Sequence, residues 1–336
     1  MAVPKTEAQP VAAPTRVGLI DRFSVVLIAV AAMLWASDTY FRAQLIGHLT
    51  PSQIVVVEDA LVSLFLVTFL LRGIPEMRRL DRRGWLAIGL IGVGPQAVAT
   101  ILFTTSFSYR HFAETFVLQQ TQPLIAIVLA WIILGERRRA WFWPALLVAM
   151  VGVYLVVFAQ DPTAPVSALQ KGRLEVGLLA LGAAILWASG TVLGRFALGS
   201  ISFWSMTSLR FTLALPLLVV IVLVQYGVGA FSHYRFSDFV PNLLAIALVP
   251  GLLALLLYYR ALARTPASLA TIAEMAYPVA ATFIASAPPP WGFNQPIYGV
   301  QLVGTALLIG VIILLNLTKE KVAEAPAAAT MTLAES

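Results

Sequence analysis

Eleven residues of this chain are of types that do chemistry in water, yet they fall inside long apolar runs. Asp38 and Arg42 stand one helical turn apart in LWASDTYFR, and Glu58, Arg210 and Glu274 lie about seven or eight residues into later runs. Gln96, Gln119, Gln122 and Tyr277, with the tryptophans Trp35 and Trp187, complete the set. An uncompensated charge near the centre of a helix in lipid costs about 2.5–3.5 kcal/mol. Such side chains therefore face one another, a cavity or a solute. Their chemistry is binding and gating: opposite charges that pair and separate, a carboxyl that takes up and releases a proton, and amides and indoles that hold a solute. Enzyme chemistry lacks its parts. There is no HExxH, no GxSxG and no phosphate-cradling glycine loop. The chain has no cysteine, and its three histidines, His48, His111 and His233, are far apart, so neither thiol catalysis nor a histidine-rich metal site is indicated.

The elements that must position these residues follow from composition. Sixty per cent of the 336 residues are hydrophobic and 11% are charged, against about a quarter charged in soluble domains. The +6 net charge reads as an orientation signal, not as a nucleic-acid footprint, and no nucleic-acid partner is indicated. Ten apolar runs of about 20 residues, each long enough for a ~30 Å hydrocarbon core, are expected as helices at about 23–45, 51–71, 84–106, 112–134, 140–159, 175–198, 202–225, 239–262, 267–287 and 296–317. Helices are expected because lipid offers no partner to an open sheet edge. The fold class is thus an all-α membrane protein. The Ala/Pro-rich tails, 1–22 and 318–336, are expected to be disordered. With the N-terminus in the cytoplasm, 16 of the 22 Lys and Arg fall on the inner side and four (Arg110, Lys171, Arg173, Arg235) on the outer. That bias orients the chain, with both termini cytoplasmic, in the cell (inner) membrane. A basic tail before an apolar run is also the pattern of a secretory signal, but the repeat described next places an equivalent run in mid-chain.

Residues 31–39 read AAMLWASDT and residues 183–191 read AAILWASGT, seven of nine identical at an offset of 152. The same offset sets Glu58 opposite Arg210. Farther on the offset is 155: Pro95 matches Pro250, Pro123 matches Pro278, and Gln119 matches Glu274. The chain therefore reads as two halves of five helices, 23–159 and 175–317, joined by an external linker at 160–174. Because five is odd, the second half is inverted in the membrane, the architecture of secondary carriers with a site near the midplane.

Ten spans as an inverted five-plus-five repeat, LWAS in the first helix of each half, and a proline in the fourth helix followed by LGER at 134–137 together resemble the drug/metabolite transporter superfamily, in its EamA branch of metabolite exporters. The resemblance covers about residues 20–318 and implies an exporter of a small organic metabolite such as an amino acid or amine. Family members often carry Arg in the second helix of both halves. Here Arg210 fits, Glu58 stands in the other place, and SAPPPWGF replaces the LGE ending in the second half.

Depth follows from the ~1.5 Å rise per residue. Trp35 and Trp187 fall near the midplane, where they either pack helices near the repeat axis or wall a cavity. The other six tryptophans fall near span ends, as in an interfacial belt. Asp38, Arg42 and Glu58 form an outer layer and Arg210 and Glu274 an inner one, acting as alternating gates, with Arg42 expected to pair with Asp38 or Glu58 and Arg210 with Glu274. Glu274 or Asp38 is the candidate carrier of a coupling proton. Glu114 in the first turn of the fourth span suits the helix dipole, and of the neighbours Glu58 and Asp59, which point different ways, one reads as structural. Trp35, Trp187, Gln96, Gln119, Gln122 and Tyr277 are the candidate substrate contacts. A small-molecule substrate and the lipid bilayer are the partners; no cofactor is implied, and a homodimer stays open. A passive channel and a membrane-embedded lipid-modifying enzyme are the competing readings.

Overall fold

The computed structural model describes residues 22–109, 115, 118–166, 174–232, 239–289 and 292–318. Most of both tails, Glu114, His111, His233 and Trp291 lie outside the described residues, so the expectations placed on them do too. The regular elements among the described residues are all helices. Eight helices are long and apolar enough to cross a membrane, and two shorter apolar helices accompany them.

In chain order these are α1 (Ser24–Leu45), α2 (Pro51–Arg72), α3 (Arg82–Ser108, in three pieces), α4 (Gln122–Leu134), α5 (Phe142–Val157), α6 (Leu174–Ala197), α7 (Phe203–Tyr226), α8 (Val240–Leu262, in three pieces), α9 (Ala267–Ser286, broken once) and α10 (Gly299–Thr318). Several ends carry their cause in the sequence. Pro51 opens α2, and the Gln53 side chain accepts from the Thr50 backbone N–H at 2.9 Å. Asp81 caps α3 by accepting from Gly84 N–H. Gly135 ends α4 at φ 66°, a left-handed backbone that glycine adopts without steric cost.

The prolines do the rest of the shaping. A proline inside a helix removes one N–H and crowds the preceding turn. Around Pro95 and Pro250 the helix widens into π-helical segments, Gly92–Val98 and Ala247–Leu253, at the 155-residue offset of the repeat. Pro278 removes the donor that would meet the Glu274 carbonyl. That carbonyl instead accepts from Tyr277 N–H at 3.0 Å in a tightened turn, and α9 breaks between Ala273 and Ala276, with Glu274 in the break. A corresponding irregular turn at Gln120–Thr121 precedes Pro123 at the start of α4.

Packing runs between the two halves more than within them. α1 lies against α8 and α9, α6 against α3 and α4, α2 against α7, and α5 against α10. Small residues set the closest approach. A Cβ on Gly190 would stand 2.7 Å from the Pro95 ring, and one on Gly194 would stand 3.0 Å from Tyr259. Large apolar side chains such as Leu64, Leu147, Val224 and Leu317 are exposed on the outside of the bundle. Polar groups turn inward: Arg42, Glu58, Asp59 and Gln96 are all buried. That inversion of the soluble pattern is what a hydrocarbon solvent selects.

Candidate functional site

All eleven residues singled out by the sequence line one cavity of about 190 Å³. The helix breaks explain how residues from eight spans reach it. Widened or interrupted turns at Pro95, Pro123, Pro250 and Pro278 bring Gln96, Gln122, Gly251 and Glu274 to its wall.

At one end Arg42 holds two carboxylates. Its Nε donates to Asp38 Oδ2 at 2.7 Å, and its Nη2 donates to Asp38 Oδ1 at 2.6 Å and to Glu58 Oε2 at 2.8 Å. The expected choice between Asp38 and Glu58 does not arise, because one guanidinium reaches both. The planar fork of donors on a guanidinium suits it to hold Asp38 through two nitrogens while still reaching Glu58.

The expected Arg210–Glu274 pair is not formed. Arg210 donates from Nε to Gln96 Oε1 at 2.5 Å and from Nη1 to the Tyr259 hydroxyl at 2.8 Å, with its guanidinium over the same ring. Gln96 passes the connection on, donating from Nε2 to Asp59 Oδ1 at 2.8 Å. Thus Gln96, expected as a substrate contact, has both polar ends engaged within the protein. Glu274 is met by neutral donors alone. Tyr258 hydroxyl donates to Oε1 at 2.7 Å, Thr191 hydroxyl to Oε1 at 3.2 Å, and Gln122 Nε2 to Oε2 at 2.9 Å. The reason for the difference lies in which faces meet. Gly194 leaves room for the Tyr259 ring beside α6, and that ring's hydroxyl takes Arg210.

The two tryptophans also differ. Trp187 packs on Phe103 with ring centroids 5.1 Å apart and donates its indole N–H to the Pro95 carbonyl at 3.0 Å. It is both wall and brace. Trp35 leans on Tyr258 at 4.9 Å. Tyr277 shares a 2.6 Å hydrogen bond with Thr39.

Sequence reasoning passed over Tyr258 and Thr191, which hold Glu274, and Phe103 and Thr100 on the cavity wall. One signal was available. The nonapeptide repeat ends in Thr39 and Thr191, and both hydroxyls reach α9, one at Tyr277 and the other at Glu274. Two further carboxylates at one end of the bundle were also missed as ties between halves. Glu136, of LGER, accepts from Ala267 N–H (2.8 Å), Ser268 N–H (3.1 Å) and Ser268 hydroxyl (2.6 Å) at the start of α9. Glu76 accepts from Ser202 N–H at 2.9 Å and Ser205 hydroxyl at 2.7 Å at the start of α7. Burial works to raise the Glu76 carboxyl, but the Ser202 backbone and the serine hydroxyls outweigh it and hold the group below its ordinary 4.5. A depressed carboxyl keeps its tie in full above the ordinary value and loses it as pH falls through the lowered one.

A bundle that turns apolar side chains outward and closes polar groups from many helices around one cavity defines a membrane transporter. The model of the EamA-like transporter family matches residues 22–158 and again residues 176–317, and the chain belongs to that family. It is a transporter and not an enzyme. It is similar to the riboflavin transporter ImpX of Fusobacterium nucleatum subsp. nucleatum, with 29% identity over 263 residues, 75% of this chain and 85% of that one. It also resembles a protein of known crystal structure with a TM-score of 0.66, covering 88% of this chain and 95% of that chain at 17% identity, a likeness of fold.

Proposed function

We propose that the chain is a secondary carrier that exports a small organic solute across the inner membrane by alternating access, with the solute held in the central cavity. The two halves are five-helix units of opposite orientation, 23–159 and 175–317, and both termini are cytoplasmic. One observation carries this reading: charged and amide side chains scattered over both halves converge on a single cavity with aromatic walls. The paired helix breaks at Pro95 and Pro250, and before Pro123 and Pro278, supply the bending that alternating access needs. An aromatic amino acid, an aromatic amine and a flavin all suit such walls, and the last is what the name of the ImpX relative states.

The gates follow from the bonds. Asp38, Arg42 and Glu58 close the outer end. At the cytoplasmic end the closing contacts are the Glu136 and Glu76 ties, and Arg210 and Glu274 lie behind them facing the cavity. Glu274 carries the coupling proton: it is a carboxylate that neutral donors alone solvate, so proton uptake meets no competing ion pair.

Counterflow in liposomes tests the carrier. A labelled solute should accumulate transiently against excess unlabelled solute, with saturation; an open pore or an enzyme gives no such overshoot. The inner gate has its own test. Glu136→Gln keeps one acceptor oxygen where the carboxylate offers two, and the lost bonds are worth about 1–3 kcal/mol in total. Because the chain has no cysteine, a single Thr100→Cys on the cavity wall reports accessibility. In the Glu136→Gln background its labelling from the cytoplasmic side should rise several-fold, about what a shift of 1 kcal/mol or more produces. Unchanged labelling would remove Glu136 from the gate.

A further inference from the structure

The candidate substrate contacts are not equivalent once their internal bonds are subtracted. Trp187 N–H is given to the Pro95 carbonyl, Gln96 is bonded at both ends, Tyr277 hydroxyl is paired with Thr39, and Gln122 Nε2 is on Glu274. Of the six candidates, Trp35 and Gln119 alone make no side-chain hydrogen bond among the described residues; outside the six, Arg42 Nη1 and Thr271 Oγ1 on the wall are also buried with no partner. Trp35, half-buried, has no hydrogen-bond partner for its indole N–H among the described residues, and Gln119 Oε1 is buried with no partner. One is a donor and the other an acceptor.

We infer that Trp35 and Gln119 are the residues that read the substrate, and that they read the C=O and N–H of a lactam or imide edge on a planar aromatic ring. This deepens the carrier reading above and rests on it. The walls supply the ring preference: Trp35, Trp187, Phe103 and Tyr258 surround the cavity, and flat rings stack or pack edge-on against such faces. Charge favours a neutral edge over a carboxylate. Arg42 is already shared by Asp38 and Glu58, with its Nη1 left unpartnered, and that layer carries one positive group against two acids, a balance that disfavours a further anionic oxygen. A carbonyl oxygen accepts the Trp35 hydrogen without that penalty, and a ring N–H satisfies Gln119 Oε1. A buried acceptor left unmet costs about 1–3 kcal/mol, so discrimination should come mainly from the N–H. Trp187, Gln96, Gln122 and Tyr277 then form the frame that keeps the cavity's shape.

The experiment is counterflow in liposomes with the full chain and four probes: riboflavin, which carries an imide edge; riboflavin methylated on that ring nitrogen; tryptophan; and an aromatic amine without a lactam. The wild type should exchange riboflavin and reject the methylated form by about tenfold. Gln119→Met, of similar length, should erase that difference. Trp35→Phe, which keeps a ring but not the N–H, should raise the riboflavin KM severalfold. If Gln119→Met does not give folded protein, the methylated probe on the wild type decides alone. Exchange of tryptophan or the amine as readily as riboflavin, or variants with unchanged selectivity, would overturn the inference and leave the carrier standing. No exchange of any probe would overturn the carrier reading, and the inference with it.

Discussion

Arg42→Met is expected to be the most damaging single substitution inside the bundle. It leaves Asp38 and Glu58 without the guanidinium that both now share, at 2.6–2.8 Å. Removing one partner from a buried ion pair costs about 3–5 kcal/mol, because the remaining charge stays buried and uncompensated. Here two charges remain, against a total stability on the order of 5–15 kcal/mol. Detergent-extracted Arg42→Met should therefore show little monodisperse protein and a much lowered thermal midpoint. The triple change Arg42→Met, Asp38→Asn, Glu58→Gln removes all three charges together and should recover most of the folded protein. It should not recover gating, since nothing ionic remains to make and break. If the single variant proves as stable as the wild type, the cluster is not the tie its geometry describes.

The second large effect falls on energetics. Glu274→Gln retains a carbonyl oxygen for Tyr258 and Thr191 but cannot take up or release a proton. Exchange of solute between equal pH compartments should survive, while accumulation driven by a pH gradient should fall by roughly tenfold or more, to the level of passive equilibration. Unchanged accumulation would end the assignment of the coupling proton to Glu274. Exchanging the charges, Arg210→Glu with Glu274→Arg, is not expected to rescue either single change. Arg210 sits between Gln96 and Tyr259, Glu274 among Tyr258, Thr191 and Gln122, and neither set of partners suits the opposite charge.

In the proposed alternating-access cycle, the carboxylate caps at Glu76 and Glu136 are the elementary parts of the inner gate. A helix start presents unpaired N–H groups, and a carboxylate is their natural partner. When the carboxylate comes from the other half, the cap also becomes a contact that a rocking motion must break. Its cost is modest, about that of a few hydrogen bonds, which suits a gate that opens once per transport event.

Much of the site could be read from the chain because its constraints are local. Hydrocarbon thickness sets the length of an apolar run, and the expense of a charge in lipid marks Asp38, Arg42, Glu58, Arg210 and Glu274 wherever they occur in one. The absence of an N–H on proline puts breaks at Pro95, Pro123, Pro250 and Pro278 regardless of what packs nearby. The structure sets the eleven residues that these signals and the repeat picked out around one cavity. Which of them touch one another could not be read the same way. Depth bookkeeping put Arg210 level with Glu274, but it carries no information on helix rotation. A few tens of degrees decide whether a guanidinium meets a carboxylate or an amide.

Asp38 and Arg42 show the same division. Their counterparts in the repeat, Gly190 and Gly194, look like simple losses of charge when the two halves are aligned. In the fold these glycines admit the Pro95 ring and the Tyr259 ring against α6. Tyr259 then engages Arg210, and Trp187 is braced on the Pro95 carbonyl while Trp35 keeps its N–H. By itself, the sequence determined the solvent, the apolar helices, the breaks and the residues that cannot face lipid, since each depends on properties a short segment carries alone. Only the tertiary structure decided which repeat-related side chain is braced and which keeps its N–H without a partner among the described residues, because that depends on how closely two distant helices approach.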